Sequence, residues 1–423
     1  MPTPVLIDTA YANLLGNQLP PVLFNGKYYI PLTNAQAGSG TLSMFQSPDG
    51  VTWTNIGDAL TGIVQSAFTA CFDGAHSILC LVETSTSGGE IVLIRFDTLS
   101  GTWGAPFANL AVGINSNPDT NYVVQRNDGS VVSASETLFW VWDGATWSSF
   151  PIFTNLPGPF VGGLQSVVSL QRDATGLVHS VSAIQNAGNT EQAYFYQQFT
   201  TVNTLGNFAD LTSIAFPAVY FIPPNNVTVN NIHDWVVFGV LDTSQNARVF
   251  IGQGLSNPVW TLSAAIDPTV LSIDFSNPPY VSGYNDAKVW LVMPETDDQT
   301  FVLFGTTNVA NPALGWALIT TVVAPAVATI FNTNWGAASD PSGSVFFTEE
   351  LAPSFNAQSY FALGGPIPPP PPPSGPKPIA GPMVGGFPIA GIFSLPDAAT
   401  KCDIDGRKKC VIIKDLRPIQ RSK

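Results

Sequence analysis

The stretch "SPDGVTW", Ser47–Trp53, decides how this sequence is read. Asp followed by Gly, set between two apolar runs, is a tight-turn signal. Asp49 can accept hydrogen bonds from the turn amides, and Gly50 permits a positive φ. Trp53 then offers a large ring for packing just beyond the turn. Related stretches stand at Ser100–Trp103 ("SGTW") and Asp143–Trp147 ("DGATW"). Everything the turn requires is local, so the stretch is expected to be scaffold rather than a catalytic site.

The turn belongs to a repeated unit. An apolar strand meets a turn, a second apolar strand and a polar loop follow, and a third strand then turns into a Trp-bearing fourth. Residues 120–150, "TNYVVQRNDGSVVSASETLFWVWDGATWSSF", show the whole pattern. Marker tryptophans stand at Trp53, Trp103, Trp147, Trp260 and Trp316, and a unit around residues 192–208 has none. Four-strand units of this size are β-propeller blades. The expected fold is all-β, a seven-bladed propeller with blades beginning near residues 20, 66, 120, 163, 215, 278 and 327. Six blades is the alternative, because the boundaries across residues 163–230 are weak. The last unit shows only three strands. The N-terminal "PVLIDTA" is therefore expected to pair with residues 357–363, closing the ring and covering an edge.

The Ser47–Trp53 stretch resembles the Asp-box of sialidase-type β-propellers, whose pattern is Ser-x-Asp-x-Gly-x-x-Trp. Here one residue is missing between Asp49 and Gly50, and the other copies lack the Ser or the Asp. The resemblance implies a turn between third and fourth strands, on the face away from the family's usual active site. Sialidase chemistry would need an arginine cluster, a Tyr with a Glu, and an acid Asp. The body holds four arginines: Arg95, Arg126, Arg172 and Arg248. Arg126 and Arg172 precede first-to-second-strand turns, on the Asp-box face. Tyr29, in "YYIPL", stands where the family's Arg-Ile-Pro signature would have its arginine. On these grounds no enzyme is expected.

The second-to-third-strand loops collect acids. Glu191, Asp242, Glu295, Asp297 and Asp298 are the candidate ligand-binding residues, for a glycan or a cation. Two such carboxylates within about 5–10 Å could do acid–base work on a glycosidic bond. A solvated polar rim is the plainer reading. No cofactor motif or metal-ligand spacing is present; His76, His179 and His233 are scattered. Cys71 and Cys80 flank a hairpin as buried thiols or as a cross-link, and Cys402 and Cys410 flank a second Asp-Gly turn with the same two alternatives.

The net charge of −14 is unevenly spread. Residues 1–365 hold six of the 15 basic and 25 of the 29 acidic residues, leaving −19; residues 366–423 hold nine and four, leaving +5. An acidic body argues against nucleic acid as a partner. No apolar run reaches the roughly 18 residues of a membrane span, and the N-terminus does not read as a signal peptide. Residues 1–364 are thus read as the propeller and 365–400, rich in Pro and Gly, as an extended linker. Residues 401–423 form a basic anchor, a small hairpin carrying Cys402, Arg407, Lys408, Lys409, Cys410, Val411, Ile412 and Ile413.

This layout resembles bacteriophage virion proteins. It implies a non-enzymatic decoration, collar or fibre subunit, made in a host cytoplasm and localised to the virion. Its tail would bind other virion proteins in a multimeric assembly, and its propeller would meet host-surface glycan. The alternative is a tethered glycan-binding lectin or glycoside hydrolase of the Asp-box type.

Overall fold

The computed structural model describes residues 5–8, 22–33, 40–65, 70–72, 76–84, 90–109, 122–134, 137–161, 164–186, 188, 192–211, 227–241, 246–266, 280–282, 289–294, 300–306, 308–312, 315–323, 330–339, 345–351 and 357–363. These residues form antiparallel strands, with a 3-10 turn at Gly158–Phe160. Four-stranded sheets, each of consecutive strands, span residues 122–151, 164–210, 227–262 and 280–323. A nine-stranded sheet spans residues 22–109, its strand Thr54–Gln65 pairing onward to Ser77–Thr84 through Ile63↔Thr84 and Gln65↔Glu83.

The remaining sheet joins the two ends of residues 5–363. Its own strands are Ile330–Ser339, Val345–Leu351 and Ala357–Leu363. The fourth is Val5–Asp8, in the register Val5↔Tyr360, Leu6↔Ser359 and Asp8↔Gln358. The missing strand of the last unit is therefore supplied by the N-terminal segment, as its sequence implied.

The apolar runs are long because both faces of most sheets are covered. Successive side chains of a strand point to opposite faces. Val131 packs with Leu79, Leu81, Leu93 and Val123 on one side, while its neighbour Val132 packs with Leu170, Val178 and Phe199 on the other. The same division recurs along the chain: the cluster of Trp235, Val249 and Ile251 takes in Leu291 and Phe304 of the following sheet, and that of Tyr194 and Tyr196 takes in Val236 and Phe250. Burying one such aliphatic side chain is worth about 1.5–3 kcal/mol, so these inter-sheet layers are where the stability resides.

The marker tryptophans fill the same layers. Trp53 and Trp103 pack on the cluster of Tyr28, Phe45, Ile78 and Phe96. Trp260 meets Tyr196 of the preceding sheet edge-on at 4.8 Å and Phe238 of its own at 5.8 Å. In the unit without a tryptophan, Leu205 opens the outer strand and packs against the cluster holding Phe139 and Phe199. Cys80 is a buried thiol, opposite Ala70 in the register, so the cross-link alternative to Cys71 is not formed. The linker and anchor, with Cys402 through Ile413, lie outside the described residues.

Candidate functional site

Hydrogen bonds between turns join like ends of neighbouring sheets. The Arg126 guanidinium donates to Asn203 Oδ1 at 2.6 Å and to the Thr200 carbonyl at 2.7 Å, from the sheet of residues 122–151 to that of 164–210. Asn127 donates to the Ala174 carbonyl at 2.8 Å, and Arg172 donates to the Asn127 side-chain oxygen. The Ala174 amide donates to Asn231 Oδ1 at 2.7 Å, reaching the sheet of residues 227–262. The Trp235 indole donates to the Val309 carbonyl at 2.9 Å, reaching the sheet of residues 280–323. All these groups sit at first-to-second or third-to-fourth strand turns.

In a four-stranded antiparallel sheet the second-to-third connection leaves from the other end. The last described pairs there are Gln185↔Gln192, Leu241↔Ala247 and Pro294↔Phe301. Glu191 directly precedes Gln192, Asp242 follows Leu241, Glu295 follows Pro294, and Asp297 and Asp298 complete that same connection. All five candidates lie outside the described residues. The described strand ends Gln185, Leu241 and Pro294 lie opposite the linked turns, in three consecutive sheets.

The turn end is built as its sequence implied. Asp49 Oδ1 accepts the amides of Val51 at 2.8 Å and Thr52 at 2.7 Å, and Gly50 has φ 74°. Ser47 Oγ accepts the Gly50 amide at 2.7 Å. Asp143 repeats the pattern with the amides of Ala145 and Thr146, both at 2.8 Å, and Asp97 with Leu99 and Ser100. The amides of Leu99 and Ser100 hold the Asp97 carboxyl below its ordinary range, and those of Thr146 and Ala145 do the same for Asp143. At Asp49 partial burial pushes upward, but the amides of Thr52 and Val51 and the hydroxyls of Ser47 and Thr52 prevail and the carboxyl is lowered. A carboxylate committed to turn amides has little left for catalysis.

The sequence reading missed one cluster. His179 Nδ1 lies 2.7 Å from the Tyr196 hydroxyl, and its Nε2 lies 3.6 Å from Asp173 Oδ2. Burial pushes the Asp173 carboxyl up, but bonds from His179, Thr175 and Leu177 outweigh it and the carboxyl is lowered. Burial pushes the Tyr196 phenol upward. An acid, an imidazole and a hydroxyl in this order could relay a proton, but His179 and Tyr196 are both 0% exposed. The cluster therefore holds the Asp173–Leu177 turn in place and reaches no substrate. The hint was available in "QRDATGLVHS": Asp173 opens a turn, and His179 enters the next strand facing inward. Among the described residues no group of three or more His, Cys, Asp or Glu could hold a metal ion.

Comparison with known proteins defines the class. No family model matches the chain, and neither does any curated protein. Solved structures do. The WD40 domain of Toxoplasma gondii coronin is 11% identical with a TM-score of 0.50, covering 86% of each chain. An α-L-arabinanase from Penicillium chrysogenum, complexed with arabinobiose, is 14% identical with a TM-score of 0.41, over 86% of this chain and 98% of that one. The intramolecular trans-sialidase of Ruminococcus gnavus is 10% identical with a TM-score of 0.42, over 84% and 95%. The fold is a β-propeller.

The expectation that the chain is not an enzyme is corrected here, because similar structures include glycoside hydrolases. The reasoning behind it fails on geometry as well. Degraded Asp-boxes lie at the turn end, so they carry no information about the loop end. The missing Arg-Ile-Pro signature bears only on substrates that carry a carboxylate.

Proposed function

We propose that this propeller acts on glycan at its second-to-third-strand loops, as a glycoside hydrolase. The observation that carries the reading is topological. The strand ends next in sequence to Glu191, Asp242 and Glu295, the last followed by Asp297 and Asp298, stand opposite the hydrogen-bonded turns in three consecutive sheets. Carboxylates gathered around one end of a propeller are the chemistry of glycosidic cleavage, one donating a proton while the other serves as base or nucleophile. The substrate class is a neutral glycan. Arg126 and Arg172 are tied into the turn network and Arg95 lies over Phe107 at 4.0 Å, so of the four body arginines only Arg248, second residue of Ala247–Gln253, stands near the loop end. No cluster for a sugar carboxylate can be assembled from one arginine.

The test is reducing-end release from a panel of neutral polysaccharides, with Glu191→Gln, Asp242→Asn, Glu295→Gln, Asp297→Asn and Asp298→Asn beside the wild type. Loss of turnover in one or two variants with glycan binding retained is the expected result. Binding without turnover in the wild type would leave a lectin, and neither binding nor turnover would sink the reading.

Two finer points of architecture belong to the same proposal. The nine-stranded sheet is two blades joined side by side where Thr54–Gln65 meets Ser77–Thr84, which with the five four-stranded sheets makes seven. Residues 365–400 are the linker and 401–423 the anchor of a tether, a reading supported by the charge split of −19 and +5. Arg407, Lys408 and Lys409 would meet acidic groups of a partner protein. Truncation after Gly365 should leave a folded propeller that no longer joins its assembly. No observation on the described residues supports the virion role that the layout implied.

A further inference from the structure

The sheet of residues 280–323 ends on the strand Trp316–Val323, which among the described residues pairs only with Thr300–Thr306. Its sequence, "WALITTVV", contains no charge, no proline and no glycine. A long apolar edge strand is a template for pairing, and proteins usually blunt it. The other outer strands are blunted here, Thr102–Trp103 and Ala108–Asn109 by having only two residues each. Trp147–Pro151 ends on proline, and Leu205–Asp210 carries Gly206 and Asp210. Val259–Leu262 and Val5–Asp8 have four residues each, and Thr54–Gln65 pairs onward to Ser77–Thr84.

Two further features single out Trp316–Val323. Leu318 and Ile319, adjacent in the chain, are each 42% exposed. The register explains the adjacency: Phe304 faces Leu318 while Leu303 faces Thr320, so Ile319 is an extra residue at a bulge. The second feature is electrostatic. Residues 299–339 contain no Asp, Glu, Lys, Arg or His, in a chain of net charge −14. Two copies repel one another over most approaches, but this sector brings no charge to the contact.

We propose that Trp316–Val323 is a self-association edge, on which the same strand of a second copy pairs antiparallel about a two-fold axis near Ile319 and Thr320. The occupant follows from the chemistry. A two-fold interface must be self-complementary, and an antiparallel strand pair meets that condition when no like charges face each other. A basic partner would find no carboxylate here. Leu318 and Ile319 lose water on both copies, and the backbone supplies the remaining pairing. The inference stands apart from the glycan reading and uses none of its residues.

The experiment is sedimentation of the full chain from roughly 1 µM to 100 µM, with hydrogen exchange at both limits. A dimer is expected whose amides in residues 316–323 exchange more slowly at high concentration, while those of Ser47–Trp53 do not change. Added salt should tighten the dimer, because it screens repulsion between acidic bodies. Ile319→Lys should weaken it by at least about tenfold, and Ile319→Val should not. A wild-type chain that stays monomeric overturns the proposal, as does a dimer protected elsewhere. Protection of residues 316–323 that is independent of concentration would place a segment of the same chain on the edge and equally overturn it. The wild-type exchange result decides the matter even where Ile319→Lys fails to fold.

Discussion

Arg126 donates through Nη2 to the carbonyl of Thr200 at 2.7 Å, across the boundary between two sheets and 74 residues along the chain. The same guanidinium reaches Asn203 Oδ1 and lies 4.8 Å from the centre of the Phe199 ring. It is 3% exposed, so its charge is held by the neighbouring sheet rather than by water. Burial accordingly lowers its pKa. Replacing Arg126 with Leu leaves the Thr200 carbonyl and Asn203 without their donor. A loss on the order of 2–3 kcal/mol is expected, measured by urea denaturation. A loss below a few tenths would show that water replaces the guanidinium.

Glycine positions separate two kinds of strain. A Cβ on Gly57 would stand 1.7 Å from the carbonyl oxygen of Gly101, and φ at Gly57 is 87°. Gly144 has φ 102° but nothing within 4 Å of a Cβ. Gly144→Ala should therefore cost about 1 kcal/mol, the left-handed penalty alone. Gly57→Ala adds a backbone clash and should cost about 2–4 kcal/mol. Equal thermal shifts for the two variants would contradict this ordering.

Acid should unfold the turn end in a defined window. The carboxyls of Asp49, Asp97 and Asp143 have folded pKa values below the ordinary 3.8. A depressed folded pKa means that the stabilisation is fully present above the unfolded value. It is lost as pH falls through the lower, folded value. Melting temperature should hold above about pH 5 and fall below pH 4. Asp49→Ala should melt lower at neutral pH and show a shallower fall in acid. An unchanged acid slope would mean that Asp49 contributes nothing to it.

Deletion of residues 1–10 removes Val5–Asp8 from its pairing with Ala357–Leu363. The melting temperature should drop by about 5 °C, and the uncovered strand should promote aggregation. Scanning calorimetry with light scattering checks both. An unaltered transition would mean that the last sheet does not need its fourth strand.

Much of this fold was legible because its signals are short-range. Asp49, Gly50 and Trp53 lie within five residues, and the contacts of Asp49 with Val51 and Thr52 are those an Asx-type turn makes in any context. The closing strand was legible as a deficit, one strand too few in the last unit. The arrangement of the loop acids was not legible, because it depends on loop conformation that strand periodicity does not encode.

What the sequence by itself determined is the repeating unit: apolar strands of period two, an Asp-Gly turn, and an outer strand opened by Trp or Leu205. What only the tertiary structure decided is which units meet. Nothing local ties Arg126 to Asn203 or Trp235 to Val309. Those pairings arise when sheets, each apolar on both faces, stack on their neighbours to exclude water. The stacking fixes the distance between turns 45 to 77 residues apart in sequence, and only then do short polar side chains find their partners.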